Sequence, residues 1–136
     1  MTFAEKLKMT RLQAGISQQR LSAELGVTKR TIINYESGKT IPPIDMLPKI
    51  SLAFGIAIDS LVTEEDEFII AANEQGGIKS AREAETLVNE ISGLFAGGKL
   101  SDDEKDTVMR AIQNAYWMAK EESKRKYTPK KKNAQV

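Results

Sequence analysis

Residues 17–38 constrain this chain more than any other segment, because they encode two short amphipathic helices separated by a glycine. Ser17 is a good N-cap, and Leu21 and Leu25 lie four residues apart on one face of the first helix. Gly26 follows directly and can adopt the positive φ that an abrupt turn requires. The segment therefore predicts a helix, a tight turn and a second helix.

The second helix of this segment has one apolar and one polar face. Thr28 is its predicted N-cap and Gly38 its end, and Ile32 and Tyr35 face inward at helical spacing. The outward side carries Lys29, Arg30, Ile33, Asn34 and Ser37. This is the layout of a helix-turn-helix, which places its second helix in the major groove of DNA.

Capped helices joined by a glycine also occur in helical proteins without this function, so the flanking segments matter. Upstream, Phe3 and Leu7 have helical spacing, with Arg11 on the same stripe. Residues 58–62 predict a last short helix. Between the helix-turn-helix segment and residue 58, apolar residues recur with a period of about 3.6. They are Ile44, Leu47, Ile50 and Phe54.

Residues 1–63 as a whole resemble the five-helix domain of Cro/lambda-repressor-type regulators, the xenobiotic-response-element-like family. The resemblance covers nearly half of the chain. It rests on Arg11, Gly15, Gln18, Leu21, Gly26, Val27, Ile32, Glu36, Gly38, Pro43, Leu47 and residues 58–61. It implies a DNA-binding transcriptional regulator whose partner is double-stranded DNA.

The resemblance also implies roles for individual residues. The arginine of the family's first helix pairs with the glutamate near the end of the recognition helix, which implies a structural ion pair between Arg11 and Glu36; the alternative for Arg11 is a solvated side chain or a phosphate contact. Gln18 would bind a phosphate and brace the recognition helix. The implied base-facing residues are Lys29, Arg30, Ile33 and Asn34.

The chemistry of these side chains suits the major groove. Arginine or lysine donates to guanine, and asparagine can bond adenine through two atoms. Ile33 either touches a thymine methyl group or packs against a neighbouring helix. Contacts to phosphates, which position a protein without reading sequence, are expected from Gln18, Thr28, Thr31, Lys39 and Thr40.

Composition excludes several other classes of protein. The chain has no histidine and no cysteine, which argues against most hydrolytic enzymes, thiolate zinc sites and disulfides. We expect no enzymatic activity, cofactor or metal; the acidic run 64–67 fits a solvated helix start. No stretch approaches the ~20 apolar residues of a membrane span, and no signal peptide is recognisable. The sequence therefore predicts a cytoplasmic protein that does not contact membranes.

Charge is distributed unevenly along the chain, although its net value is only +1. Residues 1–63 carry eight basic and five acidic side chains, for a net charge of +3. Residues 64–122 carry six and fourteen, for −8, and residues 123–136 carry six basic side chains and no acidic ones. We expect the acidic middle to face away from phosphates.

Residues 64–127 predict a helix followed by a helical hairpin. The first helix ends at Gly76-Gly77, and capping boxes beginning at Ser80 and Ser101 start the two hairpin helices. Their apolar stripes are short, so burial against a second copy is expected; the alternative is packing within the chain. The predicted dimerisation residues are Leu87, Ile91, Leu94, Phe95, Val108, Ile112 and Tyr116.

The sequence thus predicts an all-α fold, in which a five-helix DNA-binding domain (1–63) precedes a helical dimerisation or partner-binding region (64–127). Residues 128–136 form a basic flexible tail or, alternatively, an arm that contacts phosphates. The C-terminal region is similar to those of some phage or mobile-element regulators of Gram-positive bacteria.

The expected function is that of a homodimeric repressor that inserts residues 29–37 in the major groove of a palindromic operator. The alternative is an antitoxin or a partner-controlled adaptor. In that case its C-terminal helices would bind another protein, such as a toxin or an anti-repressor.

Overall fold

The computed structural model describes residues 1–127, and these are helical with no β-strand among them. A 3-10 turn, Ile44–Met46, precedes the fourth helix. The predicted all-α fold is confirmed, and the predicted basic tail, 128–136, lies outside the described residues. The helices are α1 (Phe3–Gln13), α2 (Gln18–Leu25), α3 (Lys29–Ser37), α4 (Leu47–Phe54), α5 (Ile58–Leu61), α6 (Glu64–Phe95) and α7 (Asp102–Tyr127). Within this part of the chain, none combines the length and apolarity needed to cross a membrane.

The chain divides into two compact units, of which the first comprises residues 1–88. Ile70 of α6 belongs to the core of this unit and is only 1% exposed. The unit therefore extends past residue 63, where the sequence predicts a change of function; that functional division stays a prediction. The core consists of Leu7, Ile16, Leu21, Leu25, Ile32, Tyr35, Leu47, Ile50, Phe54, Leu61, Val62 and Ile70.

A capping box starts α6 and also ties it to α1. The backbone N–H of Thr63 donates to Asp66 Oδ2 at 3.0 Å, and the Asp66 N–H donates to Thr63 Oγ1 at 3.1 Å. Lys6 of α1 forms an ion pair with the same carboxylate. These bonds fix the direction in which α6 leaves the five preceding helices.

Capping boxes also start α1 and α7. The N–H of Thr2 donates to Glu5 Oε1 at 2.8 Å, and the N–H of Ser101 donates to Glu104 Oε1 at 2.9 Å. Because these backbone donors stabilise the ionised carboxylate, they lower the pKa of Glu5 and of Glu104. The box predicted at Ser101 is confirmed, whereas the one at Thr2 carries the same sequence signature and was not predicted.

The helical run of α6 is interrupted at Gly77, whose φ of 77° and ψ of −170° are not helical. The interruption predicted at Gly76-Gly77 is thereby confirmed. Helix resumes at once, so Ser80 lies inside the run and is not the N-cap that the sequence predicts. Gly76 is constrained as well, because a Cβ there would lie 2.1 Å from Ser80 Oγ.

The second unit begins at residue 89 and contains the end of α6 together with α7. Its buried apolar side chains, among the described residues, are Ile91 and Met109. Val108, which the sequence places on the buried stripe, is 36% exposed, and Leu94 is 81% exposed. Ile112 and Tyr116 are half-buried, so the internal core of this unit is small, and the predicted role of these residues in dimerisation stays a prediction.

A buried ion pair connects the first three helices. Arg11 Nε lies 2.5 Å from Glu36 Oε2, and Arg11 Nη2 lies 3.2 Å from Glu36 Oε1. Arg11 Nη1 donates to the Ile16 carbonyl at 2.8 Å, and Gln18 Nε2 donates to Glu36 Oε1 at 3.1 Å. Both charged residues are buried. The structure thus contains the pair that the family resemblance implies, together with the brace implied for Gln18.

We predict that Arg11→Met lowers the free energy of unfolding by about 3–5 kcal/mol, because it leaves the Glu36 carboxylate buried without its cation. The double variant Arg11→Met/Glu36→Met should recover a large part of this loss. Urea unfolding followed by circular dichroism measures both. The matched control is Arg20→Met, which breaks the exposed Arg20–Glu24 pair and should cost less than ~1 kcal/mol. Equal costs for the Arg11 and Arg20 variants would contradict the prediction.

A second prediction concerns the interruption of α6. Gly77→Ala should destabilise the protein by about 1–3 kcal/mol, because the backbone conformation of Gly77 is nearly inaccessible to residues with a Cβ. Gly93→Ala is the control: a Cβ at Gly93 meets nothing within 4 Å, and alanine favours helix, so this variant should be neutral or more stable. Urea unfolding compares the two variants. If Gly77→Ala has the same free energy of unfolding as the native protein, α6 can continue as regular helix through residue 77.

Candidate nucleic-acid interface

The turn between α2 and α3 sets the geometry of this surface. Gly26 ends α2 with φ 72° and ψ 30°. Ser17 Oγ accepts from the Arg20 N–H at 3.0 Å, and Thr28 Oγ1 accepts from the Thr31 N–H at 3.1 Å. Both predicted N-caps and the predicted turn are therefore in place, and residues 17–38 form a helix-turn-helix.

A small polar side chain of α2 is buried without being left unsatisfied. Ser22 is 2% exposed, and its hydroxyl donates to the Gln19 carbonyl at 2.6 Å. On α3, Ile32 and Tyr35 point into the core. Burial raises the pKa of the Tyr35 phenol, so this side chain stays neutral. The inner face of α3 is thus held by apolar contacts, and the opposite face is left for a ligand.

The outer face of α3 brings the predicted base-facing residues together. Positions 29, 30, 33 and 34 lie on one side of a helix because 30 and 33 are three residues apart, and 29 and 33, like 30 and 34, are four apart. Lys29 and Arg30 are exposed, and Ile33 and Asn34 are half-buried. Within the described residues, Ile33 is not among the apolar side chains that form or border the core, and both alternatives for its role stay predictions.

The predicted phosphate contacts lie at both ends of α3 and at the start of α2. Thr28 and Thr31 share a hydrogen bond of 2.9 Å between their hydroxyls at the start of α3. Lys39 and Thr40 are exposed in the loop that follows α3, and the Thr40 N–H donates back to a carbonyl of α3 at 3.3 Å. Gln18 begins α2. Hydroxyl, amide and ammonium groups are all donors suited to phosphate oxygens.

Three side chains of α6 hold the loop that follows α3, and sequence reasoning missed all of them. Each bonds a backbone group of residues 38–44. The bonds are Asn73 Nδ2 to the Ile41 carbonyl (3.4 Å), the Ile44 N–H to Glu74 Oε1 (2.5 Å) and Arg82 Nη2 to the Gly38 carbonyl (2.8 Å). Partners 30 to 44 residues apart leave no periodic or capping signal, so the sequence alone could not have identified them.

The described residues offer no alternative site of the metal-binding type. No three acidic side chains among residues 1–127 are grouped so that they could hold an ion. The acidic run at the start of α6 contributes Asp66 to a helix cap and an ion pair instead.

Comparisons with known proteins agree with this geometry. A family model described as helix-turn-helix matches residues 7–61. An SPbeta prophage-derived HTH-type transcriptional regulator of Bacillus subtilis is 28% identical over 122 residues, which cover 88% of this chain and 95% of that protein. The immunity repressor of Bacillus phage phi105 is 23% identical over 138 residues, covering 96% and 95%.

A shorter relative matches less than half of the chain but nearly all of its own length. An HTH-type transcriptional regulator of Methanocaldococcus jannaschii is 37% identical over 62 residues, which cover 46% of this chain and 94% of that protein. The chain belongs to the Cro/lambda-repressor-type helix-turn-helix family of transcriptional regulators, which act by binding DNA and are not enzymes.

Proposed function

We propose that this regulator is a dimeric repressor that inserts residues 29–37 into the major groove of a palindromic operator. The observation that carries the proposal is the single outward face of α3 formed by Lys29, Arg30, Ile33 and Asn34. Repression is favoured because the phage phi105 relative, which aligns with 96% of this chain, is an immunity repressor.

The proposed contacts divide into those that read bases and those that position the helix. Arg30 or Lys29 donates to guanine O6 and N7, Asn34 bonds adenine N6 and N7, and Ile33 covers a thymine methyl group. Phosphate contacts come from both ends of α3 and the start of α2, through Gln18, Thr28, Thr31, Lys39 and Thr40. Because this second group spans the recognition helix, it fixes the register of α3 in the groove.

The proposed dimer uses the second unit. Leu94 and Met118 are 81% and 73% exposed, whereas only Ile91 and Met109 are buried apolar side chains among its described residues. Phe95, Ile112 and Tyr116 are half-buried and Val108 is 36% exposed, so all four retain apolar surface for a partner. Leu87, also predicted to take part, is half-buried at the end of the first unit. A second copy is the proposed occupant because a small internal core is stabilised by association.

A two-fold dimer matches a palindromic operator. Each copy would place one α3 in the major groove, with half-site centres about one helical turn, roughly 34–36 Å, apart. Two equivalent half-sites also double the number of base contacts, so discrimination against other sequences rises without further contacts in either copy.

We predict that Arg30→Ala and Asn34→Ala each weaken binding to the operator by about 1–3 kcal/mol, because each removes a base contact. Binding to a scrambled duplex should change little. Fluorescence anisotropy titrations on a duplex selected from a randomised library measure both. Lys99→Ala is the control, since it removes an exposed cation of the second unit. Equal losses on the selected and scrambled duplexes would mean that Arg30 and Asn34 contact phosphates only.

A further prediction tests the dimer interface in the full chain. Sedimentation at micromolar concentration should show a dimer for the native protein and a monomer for Leu94→Asp/Ile112→Asp, because a charge in an apolar interface is costly. Leu52→Asp is the matched control, since Leu52 is 84% exposed in the first unit. Loss of the dimer with Leu52→Asp instead would move the interface to the first unit. A native monomer that binds a second protein through α7 would favour the antitoxin or adaptor function.

A further inference from the structure

The loop of residues 38–44 depends on α6 for its conformation. Three side chains of α6 bond its backbone, all within the first unit. Arg82 bonds Gly38, Asn73 bonds Ile41 and Glu74 bonds Ile44. Lys39 and Thr40, which carry proposed phosphate contacts, lie between the first two of these bonds. The α6 side chains are therefore placed at the edge of the candidate DNA-binding surface, although they lie outside the segment that the family model matches.

Arg82 differs from the other two side chains because it brings a charge to this edge. Its Nη2 donates to the carbonyl of Gly38, the residue that precedes Lys39. Its side chain is nevertheless 53% exposed, so the guanidinium combines a fixed position with access to solvent. A guanidinium has five N–H donors in a planar fork, and a single bond to one carbonyl leaves capacity for an anion.

The charge around Arg82 is mixed. Glu85 Oε1 lies 3.8 Å from Arg82 Nη1, which is a loose contact for an ion pair. Lys79 lies one helical turn before Arg82, and these two are the only basic residues in the sequence between positions 64 and 88. One of the two cations in an otherwise acidic segment is thus fixed beside the loop that carries Lys39.

We propose that Arg82 is an additional phosphate-contact residue, through which α6 extends the DNA-binding surface beyond the helix-turn-helix. This inference rests on the proposed placement of α3 in the major groove. The bond to the Gly38 carbonyl orients the guanidinium, and a backbone phosphate next to the one bound near Lys39 is its ligand. Arginine suits this role because its fork can bond two phosphate oxygens.

The experiment is a salt titration of DNA binding by the full chain, on the library-selected duplex and on a scrambled one. Arg82→Gln keeps an N–H donor for the Gly38 carbonyl but removes the charge. It should weaken binding to both duplexes by roughly five- to ten-fold at 0.1 M salt and reduce the slope of log K against log salt by roughly 0.9. Arg82→Lys should retain the slope of the native protein because it keeps the cation.

Glu85→Gln is the matched control. It removes the carboxylate beside Arg82 and should leave the slope unchanged or steeper. A weaker affinity of Arg82→Gln with an unchanged slope would overturn the inference, because Arg82 would then only position the loop. If Arg82→Gln melts at a lower temperature than the native protein, Arg82→Lys becomes the deciding variant. A reduced salt slope for Arg82→Lys would then also overturn the inference. Absence of any selectable duplex for the native protein would instead refute the proposed function, so the two failures are distinguishable.

Discussion

The Arg11–Glu36 pair is the interaction on which the orientation of α3 depends. Its attraction is largely offset by the cost of removing two charges from water, so its main effect is directional. Arg11 bonds the Glu36 carboxylate through two nitrogens and the Ile16 carbonyl through the third. The apolar contacts of Ile32 and Tyr35 alone would hold α3 against the core without fixing its rotation. The ion pair adds a fixed rotation, and the proposed base recognition requires it.

Local signals were sufficient to predict the helix-turn-helix from the sequence. The N-caps at Ser17 and Thr28, and the glycine that ends α2, each act within about one helical turn. The glycines at 76 and 77 predicted the interruption of α6 for the same reason. The ion pair itself followed from the resemblance to a family, because nothing in the spacing of Arg11 and Glu36 connects them.

Contacts between distant segments could not be predicted in this way. Asn73, Glu74 and Arg82 look like ordinary polar residues of an exposed helix, and their bonds to residues 38–44 depend on how α6 packs against the preceding part of the first unit. For Arg82 they also depend on the interruption at Gly77, which precedes it. The burial of Met109 beside the more exposed Val108 went unpredicted for another reason. Adjacent residues differ by about 100° around a helix, and both side chains are apolar, so hydrophobicity alone could not decide which of them faces the core.

The modest charge of the protein makes a rigid recognition helix more important. A net charge of +3 over residues 1–63 provides few cations for phosphates, and each phosphate contact strengthens binding to every DNA sequence alike. In the proposed complex, discrimination between DNA sequences then comes from the few side chains on the outer face of α3. Those side chains can distinguish bases only if the helix that carries them does not rotate. The buried pair on one side of α3 and the α6 side chains that hold the following loop together restrain the recognition helix at its inner face and at its C-terminal end.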